Sequence, residues 1–246
     1  MYPERLMGQF RRRFLQLIAS GAGLALYGVP LAGRAATGGK TRIGIVGSGS
    51  VGGTLGGVWV KAGHEVMFSS RNLEHDKELA ARLGRNARAG SPREAAEFGE
   101  VLMISVPYRA LPEVGKSLGA LLKGKVVIDT CNPSPSRDGD IATWARQKGA
   151  GLASAELLPG ARIVRAFNAI GYARMGTAHE QPGRIGMPIA GDDAKAIALA
   201  SQLIRDIGYV PVLIGGLAMG KHLMPGTPLA GERTPEEIRK IAATLS

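Results

Sequence analysis

From residue 42 onward, short unbroken apolar runs alternate with segments whose apolar residues recur every three to four positions. That alternation is the layout of a largely parallel sheet wrapped by helices, an α/β fold. The runs predict strands at 42–46, 65–69, 101–106, 125–129, 162–167, 187–190 and 209–214. Those at 101–106 and 126–128 do not alternate with polar residues, so they suit strands covered on both faces. The helical periodicity predicts helices at 51–62, 73–83, 92–97, 111–122, 141–148, 193–207 and 235–245. Asp192 or Asp193 can cap the penultimate helix, and Gly208 can end it in the left-handed conformation. At the last helix, Thr234-Pro-Glu-Glu237 offers a capping threonine, a proline at the first position and a glutamate at the third. The Pro- and Gly-rich stretch 224–233 reads as a surface loop.

The N-terminal pattern is different. Arg11-Arg12-Arg13-Phe14-Leu15 leads into a stretch without charge from Phe14 to Gly33, followed by the small-residue run Gly33-Arg34-Ala35-Ala36. This is the tripartite layout of a signal peptide. The adjacent arginines resemble the twin-arginine class, with Phe10 where that motif usually has Ser or Thr. The expectation is a signal over residues 1–35, read by the twin-arginine translocase and delivering the protein to the periplasm or cell exterior. An uncharged run of that length can also span a bilayer, so an uncleaved segment would leave a membrane anchor.

Charge narrows the partners. The net charge of the whole chain is +11; the first 35 residues hold five Arg and one Glu, so 211 residues carrying +7 follow them. Lys and Arg are scattered rather than clustered, which gives no nucleic-acid footprint. The lone Cys131 reads as a small core residue. The four histidines, His64, His75, His179 and His222, show no metal-ligand spacing, and no metal is expected. His64 reads as structural, whereas His222 could reach a cleft from a late helix.

The chemistry sits in Gly47-Ser48-Gly49-Ser50-Val51-Gly52, which follows a predicted strand and opens a predicted helix. In that context the pattern is a dinucleotide fingerprint. Gly47 permits the tight turn, Gly49 lets backbone approach a pyrophosphate, and Gly52 allows helix to pack on strand. The helix N-terminus adds unpaired amides and partial positive charge for the phosphates. The further glycines Gly53, Gly56 and Gly57 each cost about 1 kcal/mol relative to Ala and imply close backbone contact. At the end of the second strand, Ser69-Ser70-Arg71-Asn72 presents hydroxyl, guanidinium and amide donors and no carboxylate. That set suits the ribose phosphate of NADP, with Arg71 engaging it in a bidentate manner; His75 and Lys77 could add charge at the rim.

These motifs, with Ser105-Val106-Pro107, Asp129-Thr-Cys-Asn-Pro133, Leu158-Pro-Gly-Ala-Arg-Ile-Val-Arg-Ala-Phe-Asn168 and Pro188-Ile-Ala-Gly-Asp-Asp193, resemble the coenzyme F-420-dependent NADP oxidoreductases. They are also similar to the reductase domain of the STEAP metalloreductases. The resemblance implies a Rossmann-type, doubly wound, mostly parallel sheet with a small C-terminal extension. It divides the chain into an NADP-binding domain at 36–160 and a part at 161–246 that completes the sheet and the acceptor cleft. It implies NADPH across the carboxyl ends of the strands, with Val106, Pro107, Tyr108 and Asn132 near the nicotinamide. It places a hydride partner, coenzyme F-420 or a flavin, against Asn168 and Ile170. Archaeal members have His-x-Ile where this chain has Asn168-Ala169-Ile170, and Asn168 can donate a hydrogen bond but cannot titrate.

Direct hydride transfer between stacked rings needs alignment and excluded water more than an acid or base. The expected function is therefore an NADP-dependent oxidoreductase acting on a small-molecule redox acceptor, with a homodimer allowed for. Two alternatives stay open: a reductase of another small substrate or ferric acceptor, and an NADP-binding sensor or partner protein without catalysis.

Overall fold

The computed structural model describes residues 40–245; the expected export signal lies outside them. Strand β1 (Arg42–Val46), helix α1 (Ser50–Lys61), β2 (Glu65–Ser69), α2 (Leu73–Leu83), β3 (Ala87–Ala89), α3 (Pro92–Phe98) and β4 (Val101–Ile104) form the first half. The second half runs through α4 (Leu111–Leu118), β5 (Val126–Asp129), the short helix α5 (Pro135–Asp138), α6 (Asp140–Lys148), α7 (Ala150–Leu157) and β6 (Arg162–Arg165). It closes with α8 (Tyr172–Met175), β7 (Gly186–Gly191), α9 (Ala194–Asp206), β8 (Val210–Leu213) and α10 (Pro235–Ala242).

The eight strands form one sheet in the order β3-β2-β1-β4-β5-β6-β7-β8. Pairing is parallel from β3 to β6, antiparallel between β6 and β7, and parallel between β7 and β8. The carboxyl ends of six strands therefore share one edge with the start of β7. The chain leaves β1 for β2 and β3 on one side and returns to β4 on the other. That switch opens a crevice beyond β1 and β4, the place where open α/β sheets bind ligands.

Both faces of the central strands are covered, as their unbroken apolar runs require. Ile43, Ile45, Met103 and Ile128 pack on one side with Leu55 and Trp59 of α1 and Leu203 of α9. Val46, Leu102, Ile104 and Val127 pack on the other with Leu111, Leu118 and Leu158. A smaller cluster joins Val212, Leu223, Leu229 and Ile238, and seats α10 and the loop before it.

The helix ends follow the residue chemistry. Asp193 accepts from the Ala196 amide at 2.8 Å, and Gly208 leaves α9 at φ +90°. Thr234 and Glu237 form a reciprocal capping box, as do Ser91 and Glu94. The predicted helix 111–122 is interrupted because Gly119 takes φ +45°, and a 3-10 turn, Gly119–Leu122, completes it. Strand β3, helices α5, α7 and α8, and the reversal at β7 are absent from the pattern-based prediction. Helix α7, Ala-Gly-Leu-Ala-Ser-Ala-Glu-Leu, is nearly uniformly small, so no apolar stripe marks it. The strands expected to reach 106 and 167 stop at Ile104 and Arg165.

Candidate active site

The glycine loop after β1 is shaped by steric exclusion. Gly47 has φ +100°, and a Cβ there would overlap the Ser105 carbonyl oxygen. A Cβ on Gly52 would overlap the Gly47 carbonyl, so these two glycines let the loop fold tightly onto the start of α1. Gly49 is different: beyond its own chain neighbours, no atom of the described residues lies within 4 Å of where its Cβ would stand, and the residue is exposed. A glycine that nothing in the protein demands, at the mouth of a helix N-terminus, leaves room for a ligand backbone. The first-turn amides of Ser50, Val51 and Gly52 lack intrahelical acceptors by helix geometry and point into that room. Gly47 and Ser48 donate their own amides to the Ser69 carbonyl, at 2.8 and 3.2 Å, which fixes the loop against the end of β2.

Of the later glycines, Gly56 is needed because a Cβ would strike Phe68 and Ile45 under the helix. Gly57 would meet only Leu83, at 3.4 Å, and the closest atom to Gly53 would be the Ser48 carbonyl oxygen at 3.0 Å. The close approach expected of all three glycines is thus imposed mainly by Gly56.

The β2–α2 loop places Ser70, Arg71 and Asn72 at the adenosine side of the crevice. Arg71 is exposed, and Asn72 caps α2 by accepting from the His75 amide at 3.2 Å. Lys77 is paired with Glu74 at 2.8 Å. The expectation that this corner holds no carboxylate needs correcting. Asp76, in the first turn of α2, is fully buried, and its two oxygens accept hydroxyls from Ser48 and Ser70, the latter at 2.9 Å. Asp76 lies six residues beyond Ser70 on a helix that also buries Ala80 and rests Leu79 and Leu83 on the core, among the charges Glu74, Lys77 and Glu78, where it reads from sequence as one more solvated charge.

On the other side of the crevice, Val106 and Pro107 follow β4 and stand half-buried and exposed. Tyr108 does not face the crevice. Its ring is wholly buried, with the hydroxyl 3.1 Å from the Ala150 carbonyl and 3.2 Å from Ser154 Oγ of α7. Burial pushes its phenol well above the ordinary range, so it stays protonated at neutral pH, with its hydroxyl engaged in the core. What Tyr108 can offer a nicotinamide is its backbone. Cys131 is likewise buried, and burial raises its thiol, which makes it an unreactive core residue.

Asn132 and Asn168 are brought together. The Asn132 amide donates to the Asn168 carbonyl at 2.8 Å, and the Asn168 amide is 3.4 Å from the Cys131 carbonyl. Asn168 is 2% exposed and its Oδ1 has no hydrogen-bond partner among the described residues. Behind them Arg165 donates to Asp129 at 2.6 Å, both wholly buried, and lies 3.4 Å from Asn132 Oδ1 and 3.5 Å from the Leu223 carbonyl. This pair escaped the sequence reading, although a lone arginine in the apolar run Ile163-Val164-Arg165-Ala166-Phe167 calls for a buried partner.

The turn after β6 is held by strain and packing. Phe167 has φ +65°, a left-handed conformation costing about 1–3 kcal/mol for such a residue. Its ring compensates by packing edge-on between Trp59 of α1, at 6.2 Å, and Tyr209, at 5.8 Å. The dinucleotide helix and the 168–170 turn are therefore parts of one packed unit. Ile170 is half-buried there, packed against the larger core cluster. The loop before α10 closes over the same turn: the Gly231 amide donates to the Ala169 carbonyl at 2.8 Å, and Glu232 binds Arg174 through both guanidinium contacts, at 2.6 and 3.2 Å.

The loop at 132–138 is fastened by Asp138, which accepts from the amides of Ser134 and Arg109 and from Arg137. Burial alone would raise this carboxyl, yet the Arg137 guanidinium and the two amides outweigh it and hold it below the usual range.

The family model described as NADP oxidoreductase coenzyme F420-dependent matches residues 42–133, from β1 to the loop after β5. An F420-dependent NADP reductase of Methanothermobacter marburgensis is 30% identical over 181 residues, which is 68% of this chain and 80% of that protein. The chain belongs to the coenzyme F420-dependent NADP oxidoreductase family. It is also 29% identical over 182 residues to Metalloreductase STEAP3 of Rattus norvegicus, covering 74% of this chain but only 35% of that protein's length. Among solved structures, a putative F420-dependent NADP reductase from Arthrobacter superposes with a TM-score of 0.63 at 20% identity, over 74% of this chain and 87% of its own; it attests the fold. The stretch matched by the F420-dependent family model includes the glycine loop, Ser70-Arg71-Asn72 and Asn132.

Proposed function

We propose that this NADP-dependent oxidoreductase transfers a hydride between NADP(H) and a flavin-like or deazaflavin coenzyme. The observation that carries the reading is the open space above Gly49, beside the unpaired amides of α1 and on the same sheet edge as the 168–170 turn. The residues fit the dinucleotide: the amides of 50–52 would take the pyrophosphate and Arg71 the adenosine 2′-phosphate. When bound, NADPH supplies the hydride. The protein's own part is alignment. Val106, Pro107 and the Tyr108 backbone would support the nicotinamide, while Asn168 Oδ1 and Ile170 would orient and space the acceptor. None of these side chains titrates near neutral pH, which agrees with a transfer that needs no general acid or base. We further propose, from Arg11-Arg12 and the uncharged stretch after them, that the protein is exported folded through the twin-arginine translocase with its cofactor on board.

Mass spectrometry of ligands released from protein purified after native export tests the reading. NADP(H), alone or with a deazaflavin or flavin, is the expected content; consistent recovery of a different nucleotide would contradict it. Tight NADPH binding without oxidation by deazaflavin, flavin or ferric acceptors would turn the assignment to a non-catalytic binding protein.

A further inference from the structure

The adenosine corner contains a charge that opposes the ligand proposed for it. Asp76 is 0% exposed and lies in the first turn of α2, where the helix dipole favours a carboxylate. It joins the two loops that would hold the dinucleotide, accepting Ser48 Oγ from the glycine loop and Ser70 Oγ from the loop after β2. Ser70 Oγ already accepts the Asn72 amide at 3.0 Å, and its proton has two inward acceptors, Asp76 Oδ2 at 2.9 Å and the Asn72 carbonyl at 3.2 Å. A serine hydroxyl has one proton and two lone pairs. With the proton committed, Ser70 can offer a ligand only the remaining lone pair. A phosphate dianion has no proton to give it, whereas a ribose hydroxyl does.

We infer that Asp76, acting through Ser70, is a specificity-determining positioning residue that works against the 2′-phosphate of NADPH and toward the free 2′-hydroxyl of NADH. Cofactor choice in this chain is then a balance between two neighbours of Ser70: the exposed guanidinium of Arg71, which draws the phosphate, and the buried carboxylate of Asp76, which resists it. The inference rests on the dinucleotide reading above, and it limits the NADPH preference that Arg71 alone would create.

The test is titration of the full-length, ligand-free protein with NADPH and with NADH, followed by nucleotide fluorescence, for wild type, Asp76→Asn and Asp76→Ser. Asn keeps the shape and one acceptor without the charge; Ser provides a second route if Asn fails to fold. In both variants the ratio of the NADH to the NADPH dissociation constant is expected to rise about three- to tenfold, as removal of one nearby negative charge implies. Thermal melting of the ligand-free variants separates the alternative. If melting temperature falls and both affinities weaken together at an unchanged ratio, Asp76 is only a staple and the inference is overturned. A ratio that falls overturns it as well. Wild type that binds neither nucleotide would instead remove the dinucleotide reading itself, and this inference with it.

Discussion

Arg165 and Asp129 meet at 2.6 Å with both side chains shut off from water, at the adjoining ends of β6 and β5. Asp129 also accepts the Cys131 amide at 2.8 Å, so the pair fixes both the 131–133 turn and the start of the 166–170 turn. Breaking a buried pair by removing one partner leaves an uncompensated charge, at a cost of about 3–5 kcal/mol. Arg165→Met should therefore lower the unfolding free energy by about that amount, and Asp129→Asn combined with Arg165→Met should recover part of it. Urea denaturation measures both; a single variant as stable as wild type would deny the pair its role.

Gly49 and Gly57 separate ligand space from fold space. Beyond its chain neighbours, Gly49→Ala meets no atom of the described residues within 4 Å, so melting of the ligand-free protein should barely change while NADPH affinity falls at least about tenfold through the blocked backbone approach. Gly57→Ala meets Leu83 at ordinary contact distance inside a helix, and should raise stability by about 0.5–1 kcal/mol with affinity unchanged. Equal NADPH affinity for Gly49→Ala and wild type would show that the pyrophosphate passes elsewhere.

Arg71→Ala should reduce NADPH affinity by about 10- to 100-fold, the worth of a charge-assisted hydrogen bond, and leave NADH nearly unaffected. Isothermal titration with the two nucleotides checks this. A matching loss for NADH would mean that Arg71 supports the loop rather than reading the phosphate.

His64 gives the protein an acid-sensitive joint far from the crevice. Its Nδ1 accepts the Thr41 amide at 3.2 Å, and its Nε2 stands 3.2 Å from Asp206 without the alignment of a hydrogen bond. Burial lowers its pKa and outweighs the opposing pull of Asp206. The unfolded chain then binds the proton more readily, so this contribution is intact above the unfolded value of about 6.5 and is lost progressively as pH falls from there through the lower folded-state pKa. His64→Gln should flatten the decline in melting temperature between pH 7.5 and 5.5. An unchanged decline would assign it to other groups.

Much of this molecule is legible in its sequence because its central strands obey one rule. Ile43, Ile45 and Val46 in β1, and Val101 to Ile104 in β4, are apolar at every position and lie buried on both faces. The glycine loop was readable for the same kind of reason, since Gly47 and Gly52 are required by backbone contacts made within a few residues or at the adjoining strand end. What pattern reading missed depends on partners distant in sequence or on segments too uniform to show a period. Asp76 faces Ser48 across 28 residues and Arg165 faces Asp129 across 36, and neither pairing leaves a local signal. Tyr108 sits beside the crevice in sequence, yet α7, hidden in its run of small residues, draws the ring into the core. The antiparallel β7 follows a strand that ends early because Phe167 turns left-handed, and no propensity announces that for a phenylalanine.

Hydride transfer from NADPH to a ring held at the 168–170 turn is open to stopped-flow oxidation of bound NADPH. Wild-type protein mixed with a reducible deazaflavin or flavin should oxidise bound NADPH in a single exponential phase. Ile170→Trp should slow that phase at least about tenfold by obstructing the stack, while NADPH affinity stays within about threefold because the phosphate contacts lie elsewhere. No oxidation by either acceptor in wild type would rule out hydride transfer to such a ring, and an undiminished rate in Ile170→Trp would place the acceptor away from this turn.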